Sequence, residues 1–475
     1  MSKTEQNGLF AAEEFAPEND VIAAISTPRG VGGIAVVRIS GPQALAVCAG
    51  MFRHGKGGKV LTKEDARRAV YGEILRQGEV IDDGIAVYFP APHSYTGEDT
   101  VELSCHGGSL LQQLVLESAF LCGARQAGPG EFSKRAFENG KLPLSRAEAV
   151  IDLIEAESLA KVRYSGAAAR GALSARIDAI TQRLRGLLAS TYAFIDYPDE
   201  DLTELTPAQL LRQCEDVRRE LESLCTGYHQ GRAVVQGIQT AIVGKPNTGK
   251  STLLNALLGT DRAIVTPLAG TTRDVLQESA VVGELLLRLC DTAGIRQTED
   301  AVERLGVERS LRAIEEAELI LCVFDASRPL DAEDEAVLKK LAGASGKKAI
   351  AVWNKADLPR AVNAAVPQGL FAREYTISAA TGQGLAALEK GLEGLYLDGG
   401  CAPQDGILTN ARQYAAAQKA KEAVQSAVAA LQSGMTQDIA GMDLELALSA
   451  LSEVDARGVS ADITDAIFHR FCVGK

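Results

Sequence analysis

Gly244-Lys245-Pro246-Asn247-Thr248-Gly249-Lys250-Ser251 is the stretch whose reading decides the fold. It follows the apolar run Thr240–Val243 and precedes Thr252–Leu258, whose pattern is helical. A strand, a glycine-rich turn, then Lys-Ser and a helix is the context of a phosphate-binding P-loop. Backbone N–H groups wrap phosphate oxygens there, and the helix N-terminus adds partial positive charge. Lys250 would reach the β- and γ-phosphates, and the Ser251 hydroxyl would ligate Mg²⁺. The flanking elements set the stretch apart from a bare glycine-rich turn.

Four further stretches follow at suitable distances. Ala269-Gly270-Thr271-Thr272-Arg273-Asp274 holds a Thr that can complete Mg²⁺ coordination when a γ-phosphate is present. Leu286–Cys290 reads as a strand ending in Asp291-Thr292-Ala293-Gly294. Asp291 can hold Mg²⁺ through water, and the Gly294 N–H can sense the γ-phosphate. Ala349–Trp353 reads as a strand ending in Asn354-Lys355-Ala356-Asp357. The Asp357 carboxylate can accept from the N1–H and 2-amino group of guanine; adenine lacks the second donor, and such polar mismatches discriminate strongly. Ser378-Ala379, with Ala380 behind it, can offer backbone N–H to guanine O6. Five motifs in order, each at a strand-to-loop junction, specify GTP.

Hydrolysis departs from the common route. The position after Asp-x-x-Gly, where Ras-like GTPases carry a water-orienting Gln, is Ile295. Arg273 and Arg296 lie where an arginine finger can act, although a solvated loop charge is the plainer reading of each. A monovalent cation can stabilise charge instead, and Asn247 is placed to coordinate one. Glu299, Asp300 and Glu303 are all candidates to orient water.

Length and composition bound the rest. A chain of 475 residues allows roughly three domains, with 46% hydrophobic residues and a net charge of −13. That charge excludes a global basic field, so any nucleic-acid patch is local or comes from a partner. Nine cysteines without CxxC spacing argue against zinc or a disulfide framework and for reduced, cytoplasmic thiols. No run has transmembrane length, so no membrane is expected. Residues 1–19 are polar and acidic and read as a frayed leader.

Taken in order, Val21–Ile25 and Ile34–Ile39 read as a hairpin around Pro28–Gly33, with Arg38 inside the second strand. A short helix (Pro42–Met51), strands at Ala69–Leu75, Ile81–Phe89 and Val101–Ser104, and a turn at Gly128–Phe132 make an α+β segment over 20–140. His106 reads as structural. Ser145 reads as an N-cap, with Glu148 at capping-box spacing, opening helix to about Ile195. Its stripes are Val150, Ile151 and Ile154, then Ile177, Ile180, Leu184 and Leu187. Thr206-Pro207 opens a second long helix to about Gly231. Residues 236–397 alternate β and α in the doubly wound pattern. Residues 398–475 return to Ala-rich helix, punctuated by Gly434 and Gly441. The simplest arrangement inserts the α/β domain into an all-α domain whose parts are 141–235 and 398–475.

Beyond the GTPase motifs, Gly33–Gly41 (GIAVVRISG), Tyr95–Gly108 (YTGEDTVELSCHGG), Gly128–Leu144 (GPGEFSKRAFENGKLPL) and Phe471–Lys475 (FCVGK) resemble the MnmE (TrmE) family of tRNA-modification GTPases. The likeness spans about Asp20 to Lys475. It implies a multidomain α/β protein: an α+β N-terminal folate-binding and dimerisation domain, an all-α helical domain and an inserted Ras-like P-loop GTPase domain. It implies a homodimer working with the FAD-dependent MnmG in an α2β2-type heterotetramer. Together they place a carboxymethylaminomethyl or aminomethyl group on C5 of the wobble uridine of certain tRNAs, with carbon from 5-formyl- or 5,10-methylene-tetrahydrofolate.

The resemblance also assigns residues. K⁺ would sit with Asn247, Thr266, Leu268 and Thr271; Mg²⁺ with Ser251 and Thr272. Glu303 matches the family's water-orienting glutamate and makes the catalytic set with Asp291 and Lys250. The GTP shell becomes Asn247, Thr248, Gly249, Lys250, Ser251, Thr252, Thr266, Thr271, Thr272, Asp291, Thr292, Ala293, Gly294, Asn354, Lys355, Asp357 and Ser378, Ala379, Ala380. Folate contacts would be Arg38, Glu102, Lys141 and Lys475, which favours a buried Arg38 over a solvated one. Cys472 matches the family's C-terminal Cys, although Cys-Val stands where Cys-Ile is usual, and Glu453–Gly458 departs from the usual Ile-Thr-Gly pattern. A ribosome-assembly GTPase shares the G domain but would carry a second G domain or an RNA-binding domain. A folate-responsive scaffold switched by GTP is the third reading.

Overall fold

A computed structural model describes residues 20–28, 30–196, 206–259, 278–290, 314–343, 347–361, 369–398, 402–455, 461–471 and 473–475. Two compact units result: the described residues of 1–147 with those of 458–475, and those of 148–457.

The first unit is built on a seven-stranded sheet. Its strands are β1 (Ile22–Ile25), β2 (Ile34–Ser40), β3 (Phe52–His54), β4 (Val70–Arg76), β5 (Glu79–Phe89), β6 (Thr100–His106) and β7 (Arg125–Gln126). Their spatial order is β3-β4-β5-β6-β2-β1-β7. The predicted hairpin is present, with β1 antiparallel to β2 and Ala24 opposite Arg38. Alternation along β2 buries Ala35, Val37 and Ile39 against Val115 and Ala119 of the helix Ser109–Leu121. Arg38 is thereby turned to the other face.

That face is covered from an unexpected direction. The described residues of 458–475, which the sequence reading groups with the helical domain, cluster with this unit. The reason is aromatic packing: Phe468 lies 5.9 Å from Phe137 and 5.5 Å from Phe471, centroid to centroid. Gly130 opens the helix Glu131–Glu138 with φ +67°, and a Cβ there would stand 2.2 Å from the Phe468 carbonyl oxygen.

The second unit joins a helical layer to a six-stranded sheet. The helix expected from Ser145 to Ile195 is three helices: Leu144–Ile154, Leu159–Ala169 and Ala172–Asp196. Gly171, at φ +98°, makes the second break. Ser145 is not an N-cap, because the helix starts at Leu144 and the Pro143 carbonyl accepts from Arg146 and Ala147 N–H. Glu148 instead accepts from Arg412 and Gln413. Of the first stripe, Ile151 is buried but Ile154 is exposed; the second stripe is buried throughout.

Thr206 does cap the helix Pro207–Thr226, through a capping box with Gln209. Gly227 then divides it from Tyr228–Gln236. Gly441 punctuates nothing: it lies inside the helix Gln437–Ser452, buried, with Thr191 beside it. Helices before and after the sheet share one core, in which Ile180, Leu184 and Leu221 meet Ala420, Val424 and Leu444. The α/β domain is inserted in that sense.

Its strands are β8 (Ile238–Val243), β9 (Glu278–Val282), β10 (Leu285–Leu289), β11 (Leu319–Asp325), β12 (Lys348–Asn354) and β13 (Arg373–Thr376), in the order β13-β12-β11-β8-β10-β9. All neighbours are parallel except β9 with β10. β11 is buried along its whole length, as a central parallel strand must be. The reversal of strand order at β8 puts the phosphate loop at a topological switch point, where doubly wound sheets bind ligands. Among the described residues no helix is long and apolar enough to cross a membrane.

Candidate functional site

The stretch 244–249 leaves the end of β8 and turns into the helix Lys250–Leu258, two residues earlier than the sequence pattern indicates. Its backbone is set by close approaches. Gly244 (φ +151°) leaves no room for a Cβ, which would stand 2.4 Å from the Val323 carbonyl oxygen. Gly249 (φ +93°) is closed by Asn354, whose Nδ2 would be 2.1 Å from a Cβ. Asn247 takes φ 62°, a left-handed conformation that Asn tolerates better than most residues. Thr248 is buried, and its hydroxyl donates to the Lys245 carbonyl at 3.0 Å.

Lys250 arches over the loop. Its Nζ donates to the carbonyls of Gly244 and Lys245, each at 2.8 Å. Burial holds its ammonium below the ordinary lysine range. A half-buried ammonium, a run of loop amides, the Ser251 hydroxyl and a helix N-terminus form a donor set that fits a nucleotide polyphosphate with Mg²⁺.

Asn354 ends β12 and ties two loops together. Its Nδ2 donates to the Thr248 carbonyl at 2.9 Å, and its Oδ1 accepts from Ala379 N–H at 2.9 Å. The Ala379 N–H is therefore committed within the protein, and the Ser378 N–H goes to the Gln383 carbonyl. Of the stretch proposed to face guanine O6, Ala380 is the exposed member. Asp357 is also exposed.

Several partners escape the motifs. Lys355, in the left-handed region at φ 66°, places its Nζ 2.7 Å from Asp325 at the end of β11. Burial raises the Asp325 pKa, but the Lys355 and Ser327 hydrogen bonds outweigh it and hold the carboxyl below its ordinary value. Lys245 pairs with Asp331 at the start of the helix Ala332–Ala342. The position of Asp325 at a strand-to-loop junction was the available signal.

Thr266, Leu268, Thr271, Thr272, Asp291, Thr292, Ala293, Gly294 and Glu303 lie outside the described residues. So do Arg273, Ile295, Arg296, Glu299, Asp300 and Cys472.

In the first unit, strand register brings Arg38 directly opposite Glu102. Both contacts fall on Glu102 Oε1, at 3.0 Å from Nε and 2.9 Å from Nη2. The guanidinium lies over Tyr95, 4.9 Å from its centroid, and over Phe132 at 5.6 Å. Arg38 Nη1 donates to the Gly474 carbonyl at 3.4 Å, and Ser26 donates to the same oxygen at 2.9 Å. Val473 bridges to Pro129, so residues 473–475 are drawn beside Arg38. Lys141 Cγ would meet a Cβ at Gly97 at 3.1 Å, which puts its stem on the loop that carries Tyr95. Arg38 is neither fully buried nor solvated: it is half-buried, with 14% of its side chain exposed. A carboxylate, a guanidinium, two rings and a nearby lysine form a set that fits a planar, amide-edged ligand with an acidic tail.

His106 is held outside this cluster, its Nδ1 2.7 Å from Asp82.

Comparison with known proteins agrees on one family. The description of the MnmE helical domain matches residues 144–472, and that of the GTP-binding protein TrmE N-terminus matches 21–141. Proteins named tRNA modification GTPase MnmE from Thermotoga maritima and Geobacter sulfurreducens are each 40% identical, over 96% of this chain and 100% and 99% of theirs. That of Geobacillus kaustophilus is 41% identical over 96% of this chain and 100% of its own. A solved structure of Era with MgGDPNP and a 16S ribosomal RNA fragment has 34% identity, covering 39% of this chain and 65% of that one, with a TM-score of 0.26.

Proposed function

The chain belongs to the MnmE family of tRNA modification GTPases and is a GTP hydrolase acting in tRNA modification, and on that premise we propose a specific reaction and site. In it, K⁺-stimulated GTP hydrolysis drives formation of the 5-carboxymethylaminomethyl or aminomethyl group on the wobble uridine of certain tRNAs. A homodimer of the chain acts there with MnmG in the cytoplasm. The carbon derives from 5-formyl- or 5,10-methylene-tetrahydrofolate.

The observation that carries the folate assignment is the convergence on one strand pair of Arg38, Glu102, two aromatic rings and the Gly474 carbonyl. A carboxylate can accept from the amide-like edge of a pterin, and cations can meet the glutamate tail. Arg38 orients Glu102; Lys141 and Lys475 lie within the same unit to meet the tail. For GTP, Lys250 and the loop amides bind phosphates, Ser251 with Thr272 holds Mg²⁺, and Asp357 reads guanine. Asn247 with Thr266, Leu268 and Thr271 holds K⁺, and Glu303 orients the attacking water beside Asp291. Bound Mg²⁺ and K⁺ would supply charge stabilisation at the β,γ-phosphate bridge.

GTP turnover measured in matched K⁺ and Na⁺ buffers tests the cation assignment: faster turnover in K⁺ is expected, and equal rates contradict it. Glu303→Ala is expected to keep GTP binding and lose turnover. For the folate site, calorimetry with 5-formyl-tetrahydrofolate is expected to show binding to the wild type and at least a ~10-fold loss in Arg38→Ala. Unchanged affinity in that variant would remove Arg38 from the site.

A further inference from the structure

A chain of ion pairs runs along the nucleotide site and touches both of its binding loops. At one end, Lys245 of the phosphate loop pairs with Asp331 and lies 3.6 Å from Asp334. Arg328 Nη1 lies 3.0 Å from Asp331 and 3.2 Å from Asp334, while its Nε lies 3.6 Å from Asp325. Asp325 in turn holds Lys355 of the guanine motif at 2.7 Å. The order is Lys245, the Asp331/Asp334 pair, Arg328, Asp325, Lys355. Arg328 is the one cation in it that belongs to neither binding loop.

Two independent features give this chain mechanical meaning. Its acids stand on rigid elements: Asp325 ends the fully buried β11, and Asp331 caps the helix Ala332–Ala342 by accepting from Glu333 and Asp334 N–H. Its end cations stand on strained loops. Lys355 itself and Asn247, two residues from Lys245, are both non-glycine residues with φ near +60°. Such conformations persist only where the surroundings hold them.

Burial couples the links. The Asp334 and Asp325 side chains are 1% and 7% exposed, so each acid needs its cations. Removing Arg328 would leave Lys245 as the one cation shared by Asp331 and Asp334, and Lys355 as the one cation on Asp325 beside its Ser327 hydrogen bonds. Each lysine would then re-aim its own loop.

We propose that Arg328 is a positioning residue of the nucleotide site, which couples the phosphate loop to the guanine loop so that each is set only while the other is. The proposal rests on the guanine-nucleotide reading of the site.

The test is a double-mutant cycle on the full chain, read as the dissociation constant for GDP by displacement of a fluorescent guanine nucleotide. Lys245→Met and Lys355→Met are measured singly and together, in wild-type and Arg328→Ala backgrounds. With Arg328 present, the double variant is expected to depart from the product of the singles by about threefold or more. In Arg328→Ala that departure is expected to vanish. Arg328→Ala alone is expected to weaken GDP and to narrow the preference for GDP over IDP, which lacks the 2-amino group. A merely structural role would lower the melting temperature and leave that preference intact.

If Arg328→Ala does not fold, Arg328→Lys serves instead. A point charge cannot serve Asp325 and both other acids at once, so the coupling should shrink there as well. Independent effects of the two lysines on a protein that binds GDP normally would overturn the proposal. Wild-type protein that binds no GDP would overturn the guanine-nucleotide reading beneath it.

Discussion

Asn354 shows how much a single side chain carries. Motif reading places it in the GTP shell; the structure makes it the strap between Thr248 and Ala379. Both of its bonds are buried, and removing one partner of a buried hydrogen bond costs about 1–3 kcal/mol. Asn354→Ala is therefore expected to lower stability by about that amount and to weaken GDP, checked by urea titration and nucleotide displacement. Gly249→Ala should be harsher for binding, because φ +93° and the Asn354 amide at 2.1 Å both oppose a Cβ. Loss of GDP binding by at least ~100-fold is expected, since phosphates are bound through that backbone. The roles of Lys250 and Ser251 are legible in the sequence because phosphate chemistry constrains adjacent residues. The Lys355 to Asp325 contact spans 30 positions, and only the parallel pairing of β11 with β12 brings it about.

At the scale of elements, periodicity located most strands and failed at helix boundaries. The hairpin around Arg38 and the sheet strands stand where alternation and apolar runs place them. The single helix expected from Ser145 is instead three, because apolar stripes persist across Gly171 and the breaks lie in short connections. Gly441 carries the opposite lesson. A Cβ there would meet Thr191 Cγ2 at 3.4 Å, ordinary contact, in the middle of a helix. Gly441→Ala should therefore stabilise the protein by up to ~1 kcal/mol through helix propensity, seen as a raised melting temperature.

The helix Glu131–Glu138 is pinned by charge. Glu131, 3% exposed, takes Arg125 and Arg135, and the latter also holds Asp20 and Glu98. Burial raises the Glu131 pKa, but the two arginines and the Gly128 N–H more than offset it, leaving the carboxyl below 4.5. A carboxylate with a lowered folded pKa stabilises above its unfolded value, and that stability fades as pH falls through the folded value. Glu131→Gln is thus expected to cost about 3 kcal/mol or more at neutral pH. Urea midpoints measured across pH should show the wild-type advantage intact above 4.5 and shrinking below it.

The whole molecule joins two chemistries on one chain. The unit of residues 148–457 carries a guanine-nucleotide site built on β8, β11 and β12. The other carries Arg38 and Glu102 on paired strands, with residues 473–475 drawn in beside them. Only the family resemblance grouped the members of the second site in the sequence; periodicity and spacing could not, because positions 38, 102 and 474 meet only through register and the anchoring of Gly474. Gly474 lies at φ +101°, 2.2 Å from the Ile25 carbonyl measured from its would-be Cβ, so the tail is seated where only glycine fits. The central claim, that GTP turnover by this chain drives wobble-uridine modification, is tested most directly by mass analysis of tRNA nucleosides from a deletion strain. Loss of the C5-aminomethyl-type wobble uridines, restored by the wild-type gene and not by Lys250→Ala, is the predicted result. Wobble uridines unchanged by the deletion, or restored equally by Lys250→Ala, would contradict it.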